Sequence, residues 1–506
     1  MREAGEPPRL LGIAGSLRNA RFGPGGDALL RSLAELPDEA ALQAWLASEC
    51  AVHLQQFLDA GRAAGLDFLQ IHRNLRRAGG QRGLSNSESA LAAGLWAAQQ
   101  LGVAVDHLSL AEQFDGFGAP RDPDGLRARL LSADGFLLSG PVYFGDRGSL
   151  TESLFEFIER DATLRAQLAG RLFGGIAVGA KRNGGQETTL IYQMLDALRL
   201  GLLAVGNDSD TTSQYGGTGH AGDVGTMHLD RYGLETSMGV GRRMARVLLR
   251  LATPHALADR PRALFLILAD ADGLVAGGVE QLRAALTDVF DATALDLPKR
   301  TIRRCIACDI CPTQIDVDAV YRCIIEHGRD DMKALHPLLL GHDLLIPVAV
   351  TLHAPGARQS VYQSFVERTR YLRRGDYVWS DLLVAPLLFE EVGRLSTELM
   401  RMTTSFVRHH TVLATPQLVP LLDGEALGLD AVAARLKAMA PIAARLTAGR
   451  LSAALAPSPT KYNPVGYVLA ADKDREDERM ARRARMVEAR RQVVADAAAT
   501  RLKPRE

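Results

Sequence analysis

Four of the five cysteines lie within one short segment, whereas Cys50 is isolated. The four are Cys305, Cys308, Cys311 and Cys323, and their spacing is C-x2-C-x2-C-x11-C. Closely spaced thiolates of this kind can bind one corner of an iron–sulfur cluster, with a fourth ligand from nearby. Zinc sites more often show two C-x2-C pairs separated by a longer spacer. The segment therefore predicts a [4Fe–4S] cluster, with zinc or metal-free cysteines as the alternatives.

Two apolar stretches end abruptly in small and polar residues, as buried parallel strands do when a ligand-binding loop follows them. The first is LLGIAGSLRN, from Leu10 to Asn19, and the second is GFLLSGPVYFG, from Gly135 to Gly145. A strand-to-helix loop that carries a hydroxyl and a guanidinium, here Ser16 and Arg18, can bind a phosphate. An ordinary strand-to-helix turn is the alternative.

A second candidate for phosphate binding is the stretch Ser85-Asn86-Ser87-Glu88, which precedes an apolar helical pattern. About sixty residues separate it from the first loop, and their spacing predicts helices rather than strands. Ser85 and Glu88 also match an S-x-x-E capping box, which would explain the motif without a ligand. The two interpretations are compatible, because the helix start that needs a cap is also where a phosphate would bind.

These motifs together resemble the NAD(P)H-dependent FMN reductase and iron–sulfur flavoprotein group of the flavodoxin-like fold. The resemblance is carried by GSLRN, SNSES, ADGFLLSGPVYFG and GGQETT. In that family the phosphate loop runs without interruption, whereas here roughly residues 20–84 are inserted into it. The resemblance implies phosphate ligands at Ser16, Arg18, Ser85, Asn86 and Ser87, ring contacts from Pro141, Val142, Tyr143 and Phe144, and pyrimidine-edge contacts from Gly184, Gly185 and Gln186. His220 is a weak candidate for proton transfer, with a solvated loop histidine as the alternative.

The resemblance also covers the cysteine segment. Iron–sulfur members of the group carry four cysteines at the corresponding place, followed by an Asp-Asp-Met helix start. Here Asp330-Asp331-Met332 follows the cysteines. The family's last spacer is shorter than eleven residues, so Cys323 departs from the pattern.

The resemblance, together with a second series of predicted strands in the same order, implies two flavodoxin-like domains in tandem, each an α/β doubly wound parallel sheet of order 2-1-3-4-5. We expect an FMN-binding domain at residues 1–253, a linker at 254–261, a second domain at 262–455 and a charged, partly helical tail at 456–506. The second domain has Asp270 and Asp272 where the first has its phosphate loop, and IPVAV where the first has GPVYF. Carboxylates would repel a phosphate. We therefore expect one flavin, in the first domain.

The predicted strands are Arg9–Ala14, Val103–Leu108, Gly135–Ser139, Leu172–Val178 and Leu202–Val205 in the first domain, and Arg262–Ala269, Ala292–Leu297, Leu344–Val350, Asp381–Ala385 and Val412–Ala414 in the second. The Gly-rich stretch Thr211–Thr226 is predicted to be a lid or a substrate wall, and Asp430–Leu446 a single long helix.

Charge and hydropathy exclude several partners. Basic and acidic residues both number 59 among 506 residues, so no net field favours nucleic acid or membrane. No apolar run reaches the roughly 18 residues of a membrane span, and the N-terminus does not resemble a signal peptide. We expect a cytoplasmic protein that binds neither membrane nor nucleic acid.

The functional prediction is an FMN-dependent NAD(P)H oxidoreductase, with NAD(P)H as co-substrate and a cluster relaying electrons to a small-molecule acceptor or a redox partner protein. An electron-transfer protein without its own NAD(P)H activity is the second hypothesis. A scaffold with a vestigial flavin fold is the third. Homodimerisation is a further expectation.

Overall fold

The computed structural model describes residues 6–17, 24–62, 64–77, 82–208, 213–308, 311, 323–325, 329–353, 359–455 and 476–504. The chain forms two compact units, Met1–Leu249 and Arg250–Glu506. Within the described residues, no helix combines the length and the apolar character that crossing a bilayer requires.

The first unit is built on a parallel sheet. Its strands are β1 (Arg9–Ala14), β2 (Ala104–Ser109), β3 (Gly135–Tyr143), β4 (Asp146–Arg147), β5 (Leu172–Gly179), β6 (Leu203–Ala204) and β7 (Gly217–His220). Strand β1 pairs with β2 and β3, and β5 pairs with β3, β6 and β7, all in parallel. This is the predicted order 2-1-3-4-5, and the flavodoxin-like fold is confirmed.

Two strands of this sheet differ from the sequence prediction. Strand β3 continues through Gly140-Pro141-Val142-Tyr143, because Val142 and Tyr143 pair with the short antiparallel β4. The fifth strand has two parts, and its second part, β7, lies inside the stretch Thr211–Thr226 that was predicted as a lid or a substrate wall. Residues 217–220 of that stretch bond to the edge of β5, so a lid or a wall stays a prediction only for the rest of it.

The helices of the first unit are α1 (Pro24–Glu35), α2 (Glu39–Phe57), α3 (Phe68–Arg77), α4 (Asn86–Gln99), α5 (Leu110–Gln113), α6 (Pro123–Ser132), α7 (Ser149–Arg160), α8 (Ala162–Leu168), α9 (Gln186–Arg199) and α10 (Arg231–Leu251). Helices α1 to α3 lie in the inserted segment. Residues 87–98 of α4 are all buried. Gly94 and Gly241 allow α4 to lie directly against α10, since a Cβ atom on Gly241 would fall 2.0 Å from the Gly94 carbonyl oxygen.

The second unit has strands β8 (His255–Leu257), β9 (Arg262–Ile267), β10 (Asp291–Asp296), β11 (Leu344–Thr351), β12 (Leu383–Val384), β13 (Leu387–Glu391), β14 (Val412–Leu413), β15 (Gln417–Leu422), β16 (Glu425–Ala426) and β17 (Leu502–Pro504). Strand β9 pairs with β10 and β11, β11 with β12 and β13, β12 with β14, and β13 with β15, all in parallel. The order is again 2-1-3-4-5. A common origin of the two units by duplication stays a prediction.

The fourth and fifth strands of the second unit are longer than predicted, and each is interrupted. Pro386 separates β12 from β13, and Pro416 separates β14 from β15. Proline has no N–H to donate to the ladder, so neither Pro386 nor Pro416 can supply a donor at the interruption. The sequence prediction ended both strands before these prolines.

The helices of the second unit are α11 (Leu274–Ala285), α12 (Met332–Leu340), α13 (Gln359–Arg368), α14 (Arg370–Asp376), α15 (Glu398–Val407), α16 (Leu429–Lys437), α17 (Ala440–Leu455) and α18 (Glu476–Arg501). The predicted single helix Asp430–Leu446 is wrong, because α16 ends before Pro441 and α17 begins next to it. Proline fits the first turn of a helix but not its interior.

The charged C-terminal helix α18 is docked rather than fully solvated. Its Ala498 is buried against Ala448 and Leu451 of α17. At its end, Arg501 donates to both carboxylate oxygens of Asp343, at 3.0 and 2.7 Å. Strand β17 then pairs with β8.

Candidate functional site

A cleft of about 190 Å³ lies at the carboxyl ends of β1, β3 and β5 in the first unit. This is the edge at which doubly wound sheets bind their ligands. The cleft is lined by Ser16, Leu17, His53, Ser85, Asn86, Ser87, Pro141, Val142, Tyr143, Val178, Gly179, Ala180 and Ala221. Seven of these residues were predicted as flavin ligands from sequence, and they come from three separate stretches of chain.

The loop after β1 is held against the end of β3. The Gly15 N–H donates to the Ser139 carbonyl at 2.8 Å, and the Ser139 hydroxyl donates to the Ser87 carbonyl at 2.6 Å. A Cβ atom on Gly15 would lie 2.9 Å from the Thr151 hydroxyl oxygen, so the close approach favours glycine. Ser139 therefore joins both predicted phosphate-binding stretches, although the insertion separates them in sequence.

The first turn of α4 forms one end of the cleft. Ser85 is its N-cap, and the Ser85 hydroxyl accepts from the Glu88 N–H at 3.4 Å. The capping box is only half formed, because the fully buried Glu88 carboxylate faces His107 Nε2 at 3.0 Å instead of returning to Ser85. The helix start therefore leaves N–H groups directed at the cleft, where the helix dipole favours an anion.

Asn86 connects this end of the cleft to the Gly-rich loop. Its side-chain amide donates to the Asp223 carbonyl at 2.8 Å. Its side-chain oxygen accepts from the N–H groups of Thr226 and Met227, at 3.1 and 3.2 Å. Asn86 lines the cleft, but its side chain is engaged in holding residues 223–227 in place.

Tyr143 and Phe144, predicted as ring contacts, occupy different environments. Tyr143 lines the cleft and is half-exposed, whereas Phe144 is fully exposed at the tip of the β3–β4 hairpin and does not line it. Phe144 and Gly145 both have positive φ, at 53° and 82°. Two-residue hairpins of this kind favour Asn-Gly, because a bulky side chain is strained there. The strain at Phe144 is typical of a functional position.

We expect Phe144→Asn to stabilise the first unit by about 0.5–1 kcal/mol, since asparagine tolerates the left-handed conformation better. Urea unfolding followed by fluorescence of Trp45 and Trp96 measures this. Phe117→Asn is the matched control, because Phe117 is also fully exposed but is not among the residues with positive φ. Equal changes in the free energy of unfolding for the two substitutions would contradict the inference that the backbone is strained at Phe144.

The predicted pyrimidine-edge residues lie beside the cleft without lining it. A Cβ atom on Gly185 would fall 2.6 Å from the Gly145 Cα, so Gly185 allows this loop to pack against the hairpin tip. Gln186 Nε2 donates to the carbonyls of Lys181 and Gly219 at 2.8 and 3.1 Å. Its Oε1 atom is buried and has no hydrogen-bond partner among the described residues. The Gln186 side-chain oxygen is thus available to accept a hydrogen bond, and the Gln186 amide group lies beside the cleft residue Gly179.

Two other predicted residues are not placed in the cleft. Arg18 lies outside the described residues. His220 ends β7, and its N–H donates to the Asp230 carboxylate at 2.7 Å, but the cleft lining includes its neighbour Ala221 instead. These ligand assignments stay predictions.

Sequence reasoning missed six lining residues, namely Leu17, His53, Val178, Gly179, Ala180 and Ala221. Five of them continue or adjoin predicted loops at strand ends, so extending those loops by a few residues would have found them. His53 had no such signal, because it lies on α2, inside the insertion.

Helix α2 is hydrogen-bonded to residues 82–84, the segment that leads into α4. The buried Glu49 carboxylate accepts from the Gly83 N–H at 2.6 Å and from Arg82 Nε at 3.0 Å. One residue later, Cys50 Sγ lies 3.2 Å from the Ser89 hydroxyl. Burial raises the pKa of the Cys50 thiol. Cys50 is therefore a packing residue rather than a nucleophile.

Glu49→Ala is expected to lower the free energy of unfolding of the first unit by about 1–3 kcal/mol, because the Gly83 N–H loses its carboxylate partner. Flavin affinity should fall with it, since residues 82–84 lead directly to Ser85. Thermal unfolding and flavin titration measure the two effects. The exposed Glu39→Ala, on the same helix, should leave both unchanged. An equal response from Glu39→Ala would contradict a specific role for Glu49.

In the second unit, the Asp270 carboxylate lies at the start of α11, the position at which a phosphate would bind in the first unit. The carboxylate accepts from the N–H groups of Ala271 and Val275, at 2.7 and 2.8 Å. N–H groups at the start of α11 thus have a hydrogen-bond acceptor within the chain itself. That the second unit binds no flavin phosphate stays a prediction.

The four cysteines of the second unit do not form a metal site in the structure. Among the residues it describes, no three His, Cys, Asp or Glu side chains are close enough to bind one ion. Cys305 Sγ accepts from the Ala307 N–H at 3.4 Å and lies 3.9 Å from Arg370 Nη1, while Cys311 and Cys323 are buried. The thiol chemistry suits a cluster, but the arrangement of these cysteines in the described residues does not.

Comparison with known proteins supports the assignment of the first unit. Residues 78–209 match the family model of the NADPH-dependent FMN reductases. An iron–sulfur flavoprotein of Methanocaldococcus jannaschii is 39% identical over 129 residues, which are 25% of this chain and 65% of that protein. One of Methanosarcina thermophila is 28% identical over 148 residues, 26% of this chain and 75% of that protein. The family resemblance is confirmed.

The family match begins beyond most of the insertion, so GSLRN lies outside it. The chain spans just under two thirds of the length of the first of these relatives. Among solved structures, a flavodoxin, WrbA-like protein from Agrobacterium tumefaciens aligns with 48% of this chain and 99% of its own at 15% identity, with a TM-score of 0.27.

Proposed function

From the match of the first unit to the NADPH-dependent FMN reductase family, we propose that the protein binds one FMN in this cleft and is an NAD(P)H-dependent oxidoreductase. The observation that carries the proposal is the convergence of Ser16, Ser85–Ser87 and Pro141–Tyr143 on one cleft at the carboxyl edge of the sheet. These stretches are separated by more than fifty residues in sequence, yet the fold brings together polar groups for a phosphate and apolar groups for a ring.

The residues of the cleft fit the two ends of FMN. Hydroxyls of Ser16, Ser85 and Ser87, with the N–H groups of the first turn of α4, would hold the phosphate. Tyr143 forms an aromatic wall, while Gly179 and Ala180 leave room for a planar ring. When bound, the flavin supplies hydride acceptance and one- or two-electron transfer. The protein binds the ring, orients it and limits the access of water.

Anaerobic purification tests the proposal, through a visible spectrum, FMN and iron analysis, and oxidation of NADH and NADPH with quinone or flavin acceptors. We expect about one FMN per chain and steady-state oxidation of a nicotinamide. A colourless protein that takes up no added FMN would contradict the proposal and favour the scaffold hypothesis.

The second candidate is an electron-transfer protein that serves a partner enzyme, as the cysteine segment and the names of the two archaeal relatives suggest. It predicts bound FMN and iron but almost no nicotinamide oxidation by the isolated protein. Cytoplasmic location and the absence of membrane and nucleic-acid partners stay expectations.

A further inference from the structure

The inserted segment contributes a side chain to the proposed flavin cleft. His53 of α2 lines the cleft together with Ser16 and Ser85–Ser87 and is only 7% exposed. Among the described residues that line the cleft, His53 is the one side chain that can carry positive charge. The insertion therefore does more than interrupt the phosphate loop.

Helix α2 is fixed beside the start of α4, at the end of the cleft that suits a phosphate. A Cβ atom on Gly83 would lie 3.3 Å from the His53 backbone nitrogen. The Leu84 N–H donates to the Glu49 carbonyl at 3.2 Å, one turn before His53 on the helix. Cys50 contacts Ser89 on the buried side of the same interface. These contacts place residues 49–53 along residues 83–89.

The acidic residues near this end of the cleft do not line it, and their carboxylates have partners elsewhere. Glu49 bonds to Gly83 and Arg82, and Glu88 faces His107. The Asp223 carboxylate accepts from the Val224 N–H. An anion at the start of α4 would therefore meet N–H groups, hydroxyls and an imidazole.

We propose that His53 is a phosphate-binding residue of the FMN site, supplied by the insertion in the loop that it interrupts. The inference rests on the proposed function of the cleft. An imidazole N–H donated to a phosphate oxygen is a charge-assisted hydrogen bond, which is stronger than one between neutral groups. Ser16, Ser85 and Ser87 would contact the same phosphate from β1 and α4.

Riboflavin, which lacks the phosphate, separates this role from a ring contact. Apoprotein is titrated with FMN and with riboflavin by quenching of flavin fluorescence. We expect His53→Ala to weaken FMN binding about 10-fold or more and to change riboflavin binding less than about 2-fold. The exposed Gln55→Ala, on the same helix, should change neither affinity. If His53→Ala does not fold, His53→Gln replaces it, and the ³¹P resonance of bound FMN should shift between this variant and the wild type.

The outcomes separate the two proposals. Wild-type FMN binding that His53 variants do not weaken, or an equal loss of FMN and riboflavin, would overturn the role of His53 while leaving the flavin site intact. Failure of the wild-type protein to bind FMN would instead overturn the proposed function, and the inference with it.

Discussion

Asp330→Ala is expected to destabilise the second unit by about 3–5 kcal/mol, because it leaves the Arg368 guanidinium buried without its carboxylate. Both side chains are fully buried, and Arg368 Nη1 lies 2.7 Å from Asp330 Oδ2. Arg368 also donates to the carbonyls of Arg303 and Ile325, at 2.9 and 3.4 Å. The Asp330 carboxylate in turn accepts from the Arg303 N–H at 2.9 Å.

The pair therefore joins both ends of the cysteine segment, since Arg303 precedes Cys305 by two residues and Ile325 follows Cys323 by two. Loss of the pair should release the segment, and the buried thiols of Cys311 and Cys323 should react faster with a thiol reagent.

Trp379 gives a local measurement of the effect, because the other tryptophans, Trp45 and Trp96, belong to the first unit. In a background with both of these replaced by phenylalanine, urea unfolding followed by fluorescence reports on the second unit. Asp331→Asn is the matched control, since the neighbouring Asp331 carboxylate accepts from the Thr301 N–H and is not paired with Arg368. The double variant Asp330→Leu/Arg368→Met should recover part of the loss. Equal stability of Asp330→Ala and Asp331→Asn would contradict the importance of the pair.

Acid should destabilise the second unit through His409. Burial, with smaller contributions from the charges of Arg373 and Arg408, lowers the pKa of His409 to about 3. The ring packs 4.8 Å from that of Trp379, and His409 Nε2 lies 3.2 Å from the Thr369 hydroxyl. The folded unit therefore holds this imidazole in its neutral form.

The sign follows from the depressed pKa. Between pH 6.5 and about 3 the unfolded chain binds a proton at His409 and the folded chain does not. The free energy of unfolding should therefore fall as the pH falls through this window, by roughly 1.4 kcal/mol per pH unit from this group. Above pH 6.5 the contribution is constant.

Urea unfolding at pH values from about 7.5 to 4.5, again followed through Trp379, measures this dependence. His409→Gln should unfold with a shallower dependence on pH than the wild type, because glutamine does not titrate. The exposed His353→Gln should keep the wild-type dependence. The same slope in His409→Gln and in the wild type would contradict the prediction.

The sequence alone determined the strand-and-loop chemistry of the first unit, because those signals are local. An apolar run that ends in Gly-Ser, or in Gly-Pro-Val-Tyr, indicates a buried strand and the loop at its end. The assignment of Ser16, Ser85 and Pro141 to one site, and the strand order 2-1-3-4-5, came from the resemblance to the flavodoxin-like family, in which ligands bind at the carboxyl ends of the parallel strands.

Only the tertiary structure decided the features that depend on contacts between distant segments. The approach of Gly185 to Gly145, the turn of Glu88 towards His107 and the Asp330–Arg368 pair leave no pattern at a fixed spacing in the sequence. For the cysteines the sequence predicts more than the structure shows. Their spacing predicts a metal site, but the described residues do not bring them together into one. His53 lies on a helix whose sequence carries no ligand-binding motif, and only the packing of that helix against residues 83–89 brings it to the cleft.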